Sequence, residues 1–372
     1  MAGIYLHIPF CRKVCGYCDF FKNASLKHKE PLLKAMKKEI FLRKNYLNEP
    51  IETIYFGGGT PSILKIAEVE NLLQTIYDNF EISKNIELTF EANPDDLSKE
   101  YLQGLKNIGV NRLSIGIQSF DDKVLEFMNR RHTAEEAIRC VKNAKQAGFD
   151  NLSLDIIYGI PNSDVEYLKE NLRQLCELQP THISAYHLTI EQGTPFGHLK
   201  KKGKLHEIAD ENSEKQYLFL VEYLQKQCYE QYEISNFCKS GKISQHNTNY
   251  WMQKPYLGIG PSAHSYNKEM RQWNISNLKK YITGIEKEDL PAESEELSVK
   301  DKFNDYIMVR LRTKWGIDLE YVQKTFGNFY LENVKKVLKE NKEDFVLKNT
   351  TLLLKPERFL RSDYLIAKFF VI

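Results

Sequence analysis

The residues with the most pointed chemistry are three cysteines near the start of the chain. Cys11, Cys15 and Cys18 are spaced C-x3-C-x2-C in a loop directly after the apolar stretch 4–8. Thiolates are soft donors suited to iron–sulfur clusters, zinc or cuprous copper, and one short loop can wrap three of them around a single inorganic group. A cubane held by three cysteines leaves one iron without a protein ligand, open to a small molecule. A structural zinc would want a fourth ligand, and His7 and His28 are the only nearby candidates. A disulfide is disfavoured by the odd count of seven cysteines and by the lack of a secretory leader. Cys140, Cys176, Cys228 and Cys238 are scattered; the first two fall inside helical patterns and read as small apolar residues.

A second group of residues sits where apolar runs end. Gly57-Gly58-Gly59-Thr60-Pro61 places no bulky side chain in the way of a ligand, so backbone can approach a charged group. Glu91 in F-E-A-N-P, Gln118 in G-I-Q-S-F and Asp155 in L-D-I-I-Y-G-I-P are polar at strand ends, and Arg130 follows in M-N-R-R-H. Taken singly, these are a glycine turn, helix caps, satisfied buried polar groups and a solvated charge. Projecting together into one mouth, they read as a binding site.

H-I-P-F-C-x3-C-x-Y-C resembles the cluster loop of the radical S-adenosylmethionine (SAM) family, in the branch of the oxygen-independent coproporphyrinogen III oxidases and the HemW-type haem chaperones. The resemblance is dense over 1–190 and looser beyond. It implies a [4Fe-4S] cluster on Cys11, Cys15 and Cys18, with SAM at the open iron. Gly58, Gly59 and Thr60 match the motif that contacts the SAM amino group. Glu91, Gln118, Arg130 and Asp155 match positions that hold its ribose and carboxylate or a second cofactor molecule, and Tyr5 and Tyr17 match aromatic positions that line the nucleoside. An electron donor such as a flavodoxin or ferredoxin would feed the cluster.

Two departures count against the oxidase branch. Phe20 stands where the oxidases resemble C-x3-C-x2-C-x-C, and only Met1, Ala2 and Gly3 precede the first strand, where they carry an extension over the active site. His246-Asn-x-x-Tyr250-Trp251 resembles an H-N-x-x-Y-W signature of the HemW group that has been associated with haem. Imidazole is a natural axial ligand, and Tyr250 and Trp251 could pack on a porphyrin face. The alternative is a structural lid with His246 hydrogen-bonded inside it; Cys238 and His264 are other candidate ligands. Three functions follow: a chaperone that binds a cluster, SAM and haem and passes haem to an acceptor protein; an oxygen-independent coproporphyrinogen III oxidase; or a zinc-stabilised scaffold without redox function.

The elements around these residues read as an α/β fold. Strands at 4–8, 53–56, 86–91, 112–117, 151–157 and 182–188 alternate with helices at 30–45, 66–77 and 98–108. Two further helices are opened by the capping boxes Thr133-x-x-Glu136 and Ser163-x-x-Glu166. Six such units predict a parallel sheet curled into a partial (β/α)6 barrel, with chemistry at the carboxyl ends of its strands. Residues 191–290 form an α+β accessory region with a helix at 208–227 and a strand at 232–236. The acidic stretch 286–296 reads as a linker, and 298–372 as a small winged-helix-like domain whose lysines interleave with acids. The 372 residues carry a net charge of +2, which points away from nucleic acid. No apolar run reaches a membrane span, and a cytoplasmic location is expected.

Overall fold

A computed structural model describes all 372 residues. Six strands, β1 (Ala2–Ile8), β2 (Ile51–Gly58), β3 (Ile82–Ala92), β4 (Arg112–Gln118), β5 (Asn151–Tyr158) and β6 (His182–His187), pair in parallel in chain order. Helices α1 (Lys29–Leu42), α2 (Ile66–Tyr77), α3 (Lys99–Asn107), α4 (Asp122–Phe127), α5 (Ala134–Gln146) and α6 (Val165–Glu177) return the chain over the outer face.

Alternation along each strand decides which face is which. Ile4, Leu6 and Ile8 of β1, Ile54 and Phe56 of β2, and Leu113, Ile115 and Ile117 of β4 join the helices in the main apolar core. The residues between them are polar and line the inside of the curl: Thr53, Glu87, Thr89, Arg112, Ser114, Ser153, His182 and Ser184 are all buried there. The barrel therefore has a greasy outside and a polar cup inside, the reverse of a barrel filled with aliphatic layers.

Capping chemistry sets the helix starts. Thr133 and Glu136 form the expected box. The second box is corrected: Asp164 caps α6 by accepting from Tyr167 N, while Ser163 Oγ turns back to Ile160 O. A carboxylate accepts from an amide more strongly than a hydroxyl does, so the later residue wins.

The accessory region departs most from the pattern expected. After α7 (Pro195–Lys201) and α8 (Asp210–Lys226), the strand expected at 232–236 is replaced by β7 (Glu230–Gln231) and β8 (Asn236–Cys238), an antiparallel pair around a turn. After α9 (Gln245–Trp251), β9 (Tyr256–Ile259) pairs in parallel with β1. The antiparallel strands β10 (His264–Tyr266), β11 (Met270–Asn274) and β12 (Ala292–Glu296) follow, with α10 (Leu278–Glu286) between the last two. One twelve-stranded sheet results, ordered β12-β11-β10-β9-β1-β2-β3-β4-β5-β6-β8-β7. The stretch expected as a linker thus holds an edge strand, whose charged side chains are those that edges tolerate.

The C-terminal part contains α11 (Val299–Arg310), β13 (Ile317–Asp318), α12 (Leu319–Phe326), α13 (Asn328–Glu340), β14 (Phe345–Lys348), β15 (Thr351–Leu354) and α14 (Ser362–Ala367). Its helices and three-stranded sheet, ordered β13-β15-β14, match the winged-helix-like expectation. A bridge between Glu233 and Thr313 and a hydrogen bond from Lys314 N to Tyr232 O (3.0 Å) tie it to the barrel.

Candidate functional site

The cysteine loop leaves the carboxyl end of β1 and is closed at its base, where Cys11 N donates to Asn23 O (3.1 Å). Two segments that periodicity did not flag hold its middle. Gly16 N donates to Met128 O at the end of α4 (3.0 Å), and Phe196 N at the start of α7 donates to Gly16 O (2.9 Å). Asn129 adds a bond from Nδ2 to Val14 O (2.6 Å).

All seven cysteines are free thiols. Thr60 Oγ1 donates to Cys11 Sγ and Arg130 Nη1 to Cys15 Sγ, both at 3.4 Å. Burial pushes the thiols of Cys11 and Cys18 up, opposed at Cys11 by the Thr60 hydroxyl and at Cys18 by Lys22. In a cubane each cysteine takes a different iron, and three free thiols of one loop, with an O–H donor aimed at Cys11 Sγ and an N–H donor at Cys15 Sγ, suit a cluster.

Beside the loop, the glycine run crosses from β2 with almost no clearance. Gly59 N donates to Ile8 O (2.8 Å), and a Cβ there would lie 2.8 Å from Ile8 O and Phe10 O. Gly58 has φ +104°, and a Cβ there would strike the His7 ring at 2.6 Å. Only glycine satisfies both.

The cup behind this crossing carries the carboxylates. Glu91 accepts from Tyr55 Oη (2.6 Å) and Gly58 N (3.2 Å). Burial raises its pKa to about 7, opposed by the Tyr55 bond and reinforced by the negative charge of Asp155. Asp155 is raised by burial too, against bonds from Ser184, Ser114 and Ser153. Arg130 Nη2 donates to Asn93 Oδ1 and Gly116 O, both at 2.8 Å, so one guanidinium joins the cup to the cysteine loop. Gln118 ends β4 at φ +65°, where a bulge shifts the β4–β5 register. Tyr5 lies in β1 with Oη 3.1 Å from His7 Nδ1, and His7 Nε2 meets Phe21 O at 2.9 Å. Tyr17 packs in a small apolar cluster with Met128, Ile157 and Phe196.

Cys11, Cys15, Cys18, Tyr5, Tyr17, Gly58, Gly59, Thr60, Glu91, Gln118, Arg130 and Asp155 are therefore gathered at one end of the barrel. Sequence reasoning missed Asn93, Tyr55 and the 128–129 turn, and it named His7 only as a possible zinc ligand, whereas the ring bonds Tyr5 and Phe21 O. Asn93 carried a usable signal, lying one strand repeat beyond Glu91 in F-E-A-N-P.

His246, Tyr250 and Trp251 are carried by α9 (Gln245–Trp251), and the His246 ring reaches that of Tyr5 with centroids 6.4 Å apart. Helix α9 plugs the amino end of the barrel: the backbone N–H groups of Gln245 and His246 donate to the buried Glu87 carboxylate at 3.1 and 3.0 Å. His246 Nδ1 is 2.8 Å from Thr53 Oγ1, Nε2 is 2.8 Å from Tyr250 Oη, and the ring stacks on Tyr55 with centroids 5.0 Å apart. Burial lowers its pKa to about 3, so it is neutral. Of the two roles expected for His246, haem ligand or hydrogen-bonded lid, the ligand-free structure shows the hydrogen-bonded arrangement, with both ring nitrogens engaged. Tyr250 spends its hydroxyl on His246 and packs edge-on against Tyr256 at 4.6 Å, while Trp251 is half-buried.

Comparison with known proteins agrees with this geometry. The family model described as the radical SAM superfamily matches residues 5–175. The haem chaperone HemW of Bacillus subtilis is 33% identical over 356 residues, covering 94% of this chain and 93% of the relative. HemW of Mycobacterium tuberculosis is 32% identical over 323 residues, covering 85% and 83%. The structure of the coproporphyrinogen III oxidase HemN from Escherichia coli, a radical SAM enzyme, superposes with a TM-score of 0.86 over 99% of this chain and 89% of that one, at 21% identity. That identity establishes the fold alone, whereas likeness at about a third of positions over nearly the whole length establishes kinship: the chain belongs to the HemW family of the radical SAM superfamily.

Proposed function

We propose that this protein is a haem chaperone that carries a [4Fe-4S] cluster and SAM and passes haem to an acceptor protein. The observation that carries the proposal is the meeting of three free thiols of one loop with a glycine-walled, carboxylate-bearing cup, in a chain that has Phe20, 64% exposed, where the oxidase branch has a fourth cysteine.

Cys11, Cys15 and Cys18 would hold the cluster, which supplies one-electron chemistry to SAM when both are bound. The residues of the chain do the rest. Thr60 donates to Cys11 Sγ and Arg130 to Cys15 Sγ, which orients the two sulfurs. The backbone of Gly58 and Gly59 makes room for the amino-acid end of SAM. Glu91, Gln118, Arg130 and Asp155 offer charge and hydrogen bonds to its polar groups, and Tyr5 and Tyr17 offer apolar surface to the nucleoside. The electron donor would be a flavodoxin or ferredoxin, and the setting the cytoplasm; no helix is long and apolar enough to cross a membrane.

The fold shared with HemN keeps the oxidase reading in play. Anaerobic reconstitution followed by two parallel assays separates them. Haem uptake without turnover of coproporphyrinogen III supports the chaperone; conversion to protoporphyrinogen in the presence of SAM and reductant overturns it. A colourless, zinc-containing protein without acid-labile sulfide would leave only the scaffold.

A further inference from the structure

A net charge of +2 hides an uneven distribution. Residues 11–29, the cysteine loop and the turn after it, carry five lysines and arginines against one acid, Asp19. Residues 195–206, helix α7 and the turn that follows it, carry Lys200, Lys201, Lys202 and Lys204 and no acid. The rest of the chain has more acids than bases. The fold brings these two basic segments together: Phe196 N donates to Gly16 O at 2.9 Å, which fixes the start of α7 against the middle of the loop.

Only two of these cations are neutralised within the molecule, Lys29 by Glu68 and Lys200 by Glu207. Arg12, Lys27, Lys201, Lys202 and Lys204 are exposed and form no ion pair. Lys13 and Lys22 bond only backbone oxygens, those of Arg130 and of Cys18 and Phe20. Aromatic side chains stand among the charges. Phe20, two residues after Cys18, is 64% exposed, and Phe127, 38% exposed, stacks on Phe196 with centroids 4.6 Å apart. Exposed aromatic anchors beside unpaired charges of one sign make a surface suited to a protein partner of the opposite sign, which the charges steer toward it.

We propose that the cysteine loop and α7 together form the docking surface for an acidic one-electron carrier protein of the flavodoxin or ferredoxin kind. This deepens the cluster reading and rests on it. Electron transfer weakens steeply with distance, so a protein donor must dock against the element that holds the acceptor. Arg12 and Lys13 lie between the first two cysteines, and Phe20 and Lys22 directly follow the third, so a partner drawn by these residues sits on the loop itself. The step balances with one electron: an anionic flavin hydroquinone becomes the neutral semiquinone, the oxidised cluster gains the electron, and no proton or further reactant is needed. Acids on the carrier meet Arg12, Lys27 and the α7 lysines, and Phe20 supplies apolar contact.

The test pairs two measurements on the full-length protein. Anaerobic stopped flow follows reduction of the cluster-loaded form by flavodoxin hydroquinone, and calorimetry follows binding of oxidised flavodoxin to the loaded and the cluster-free forms. The wild-type rate should fall steeply with added salt. Arg12→Glu with Lys202→Glu reverses one charge in each segment at side chains that make no hydrogen bond. This variant should be reduced about tenfold or more slowly at low salt, bind flavodoxin correspondingly more weakly, and lose the salt dependence. Photoreduced deazaflavin, a small reductant, should reduce both proteins equally fast. Phe20→Ala should weaken binding and keep the salt dependence. If flavodoxin and ferredoxin reduce the reversed variant as fast as the wild type, or reduce neither while deazaflavin reduces both, the docking surface is overturned and the cluster reading stands. An oligonucleotide that binds the wild type but not the reversed variant, with flavodoxin affinity unaltered, overturns it in favour of nucleic acid. A wild type that takes up no iron and sulfide overturns the cluster reading and the docking surface with it.

Discussion

At the scale of single residues, the cup keeps two carboxyl groups out of water, and burial raises the pKa of each. Glu91 titrates near 7, above the ordinary carboxylate value of 4.5. The folded protein keeps a proton there that the unfolded chain has lost, so its contribution to stability falls as pH rises from 4.5 to 7. Glu91→Gln should therefore raise the denaturation midpoint of the ligand-free protein above pH 7 and leave it unchanged below 4.5. Binding of a cation such as SAM has the opposite sign. It needs the carboxylate, so SAM affinity should fall on acidification, approaching roughly tenfold per pH unit well below 7; equilibrium dialysis across pH 5.5–8.5 measures this, and Glu91→Gln should flatten the profile. His246 stands the other way round. Held near 3, against 6.5 in the unfolded chain, it contributes stability above pH 6.5 that is lost as pH falls toward 3. His246→Ala should cost about 2–4 kcal/mol in urea unfolding, through a cavity and two orphaned hydroxyls. Its haem spectrum and affinity should match the wild type; a lost Soret shift would restore the imidazole to the iron.

At the scale of elements, the cysteine loop owes its shape to segments remote in sequence. Asn129, at φ +60°, bonds Val14 O. Asn129→Gly keeps that backbone and removes the side-chain bond. Bleaching of the cluster near 400 nm under chelator should then quicken by a few fold with thermal stability nearly unchanged, a loss of about 1 kcal/mol confined to the loop. Thr133→Ala, by contrast, should cost about 1 kcal/mol of global stability by uncapping α5 and leave cluster lifetime alone.

This contrast explains what could be read from the chain alone. The six strands and the Thr133 cap are written in local period and capping chemistry, and both were legible. The cysteine spacing and the polar residues Glu91, Gln118 and Asp155 could be picked out from the chain, whereas Tyr5 and Tyr17 were named only through the family resemblance. Met128 and Phe196 were not legible, since they act through backbone groups that any residue carries. The accessory strands β9 to β12 were missed because they are short and belong to a sheet whose other members lie far away in sequence; their partners, not their composition, make them strands. The role of His246 depended on Thr53 and Tyr250 meeting it, which no spacing reveals.

At the scale of the molecule, the C-terminal part is wedded to the barrel through Tyr232. Lys314 N bonds its carbonyl, Trp315 meets its ring with centroids 6.1 Å apart, and its hydroxyl lies 2.7 Å from His182 Nε2. His182 Nδ1 is in turn 2.7 Å from Ser153 Oγ, a neighbour of Asp155 at 3.4 Å. Trp315→Ala should therefore lower the melting temperature by several degrees, the result of about 2 kcal/mol lost at a half-buried aromatic contact. Differential scanning calorimetry should show one transition in the wild type; two separate transitions would mean that the C-terminal part is an independent passenger.

The placement of β1 has one more consequence. This strand, from which the cysteine loop springs, is paired on both flanks, by β2 and by β9, and sits near the middle of twelve. Its security comes from neighbours on either side and owes nothing to inorganic iron. Were the loop to carry a cluster and lose it, the frame that presents the three cysteines should stand ready to be loaded again.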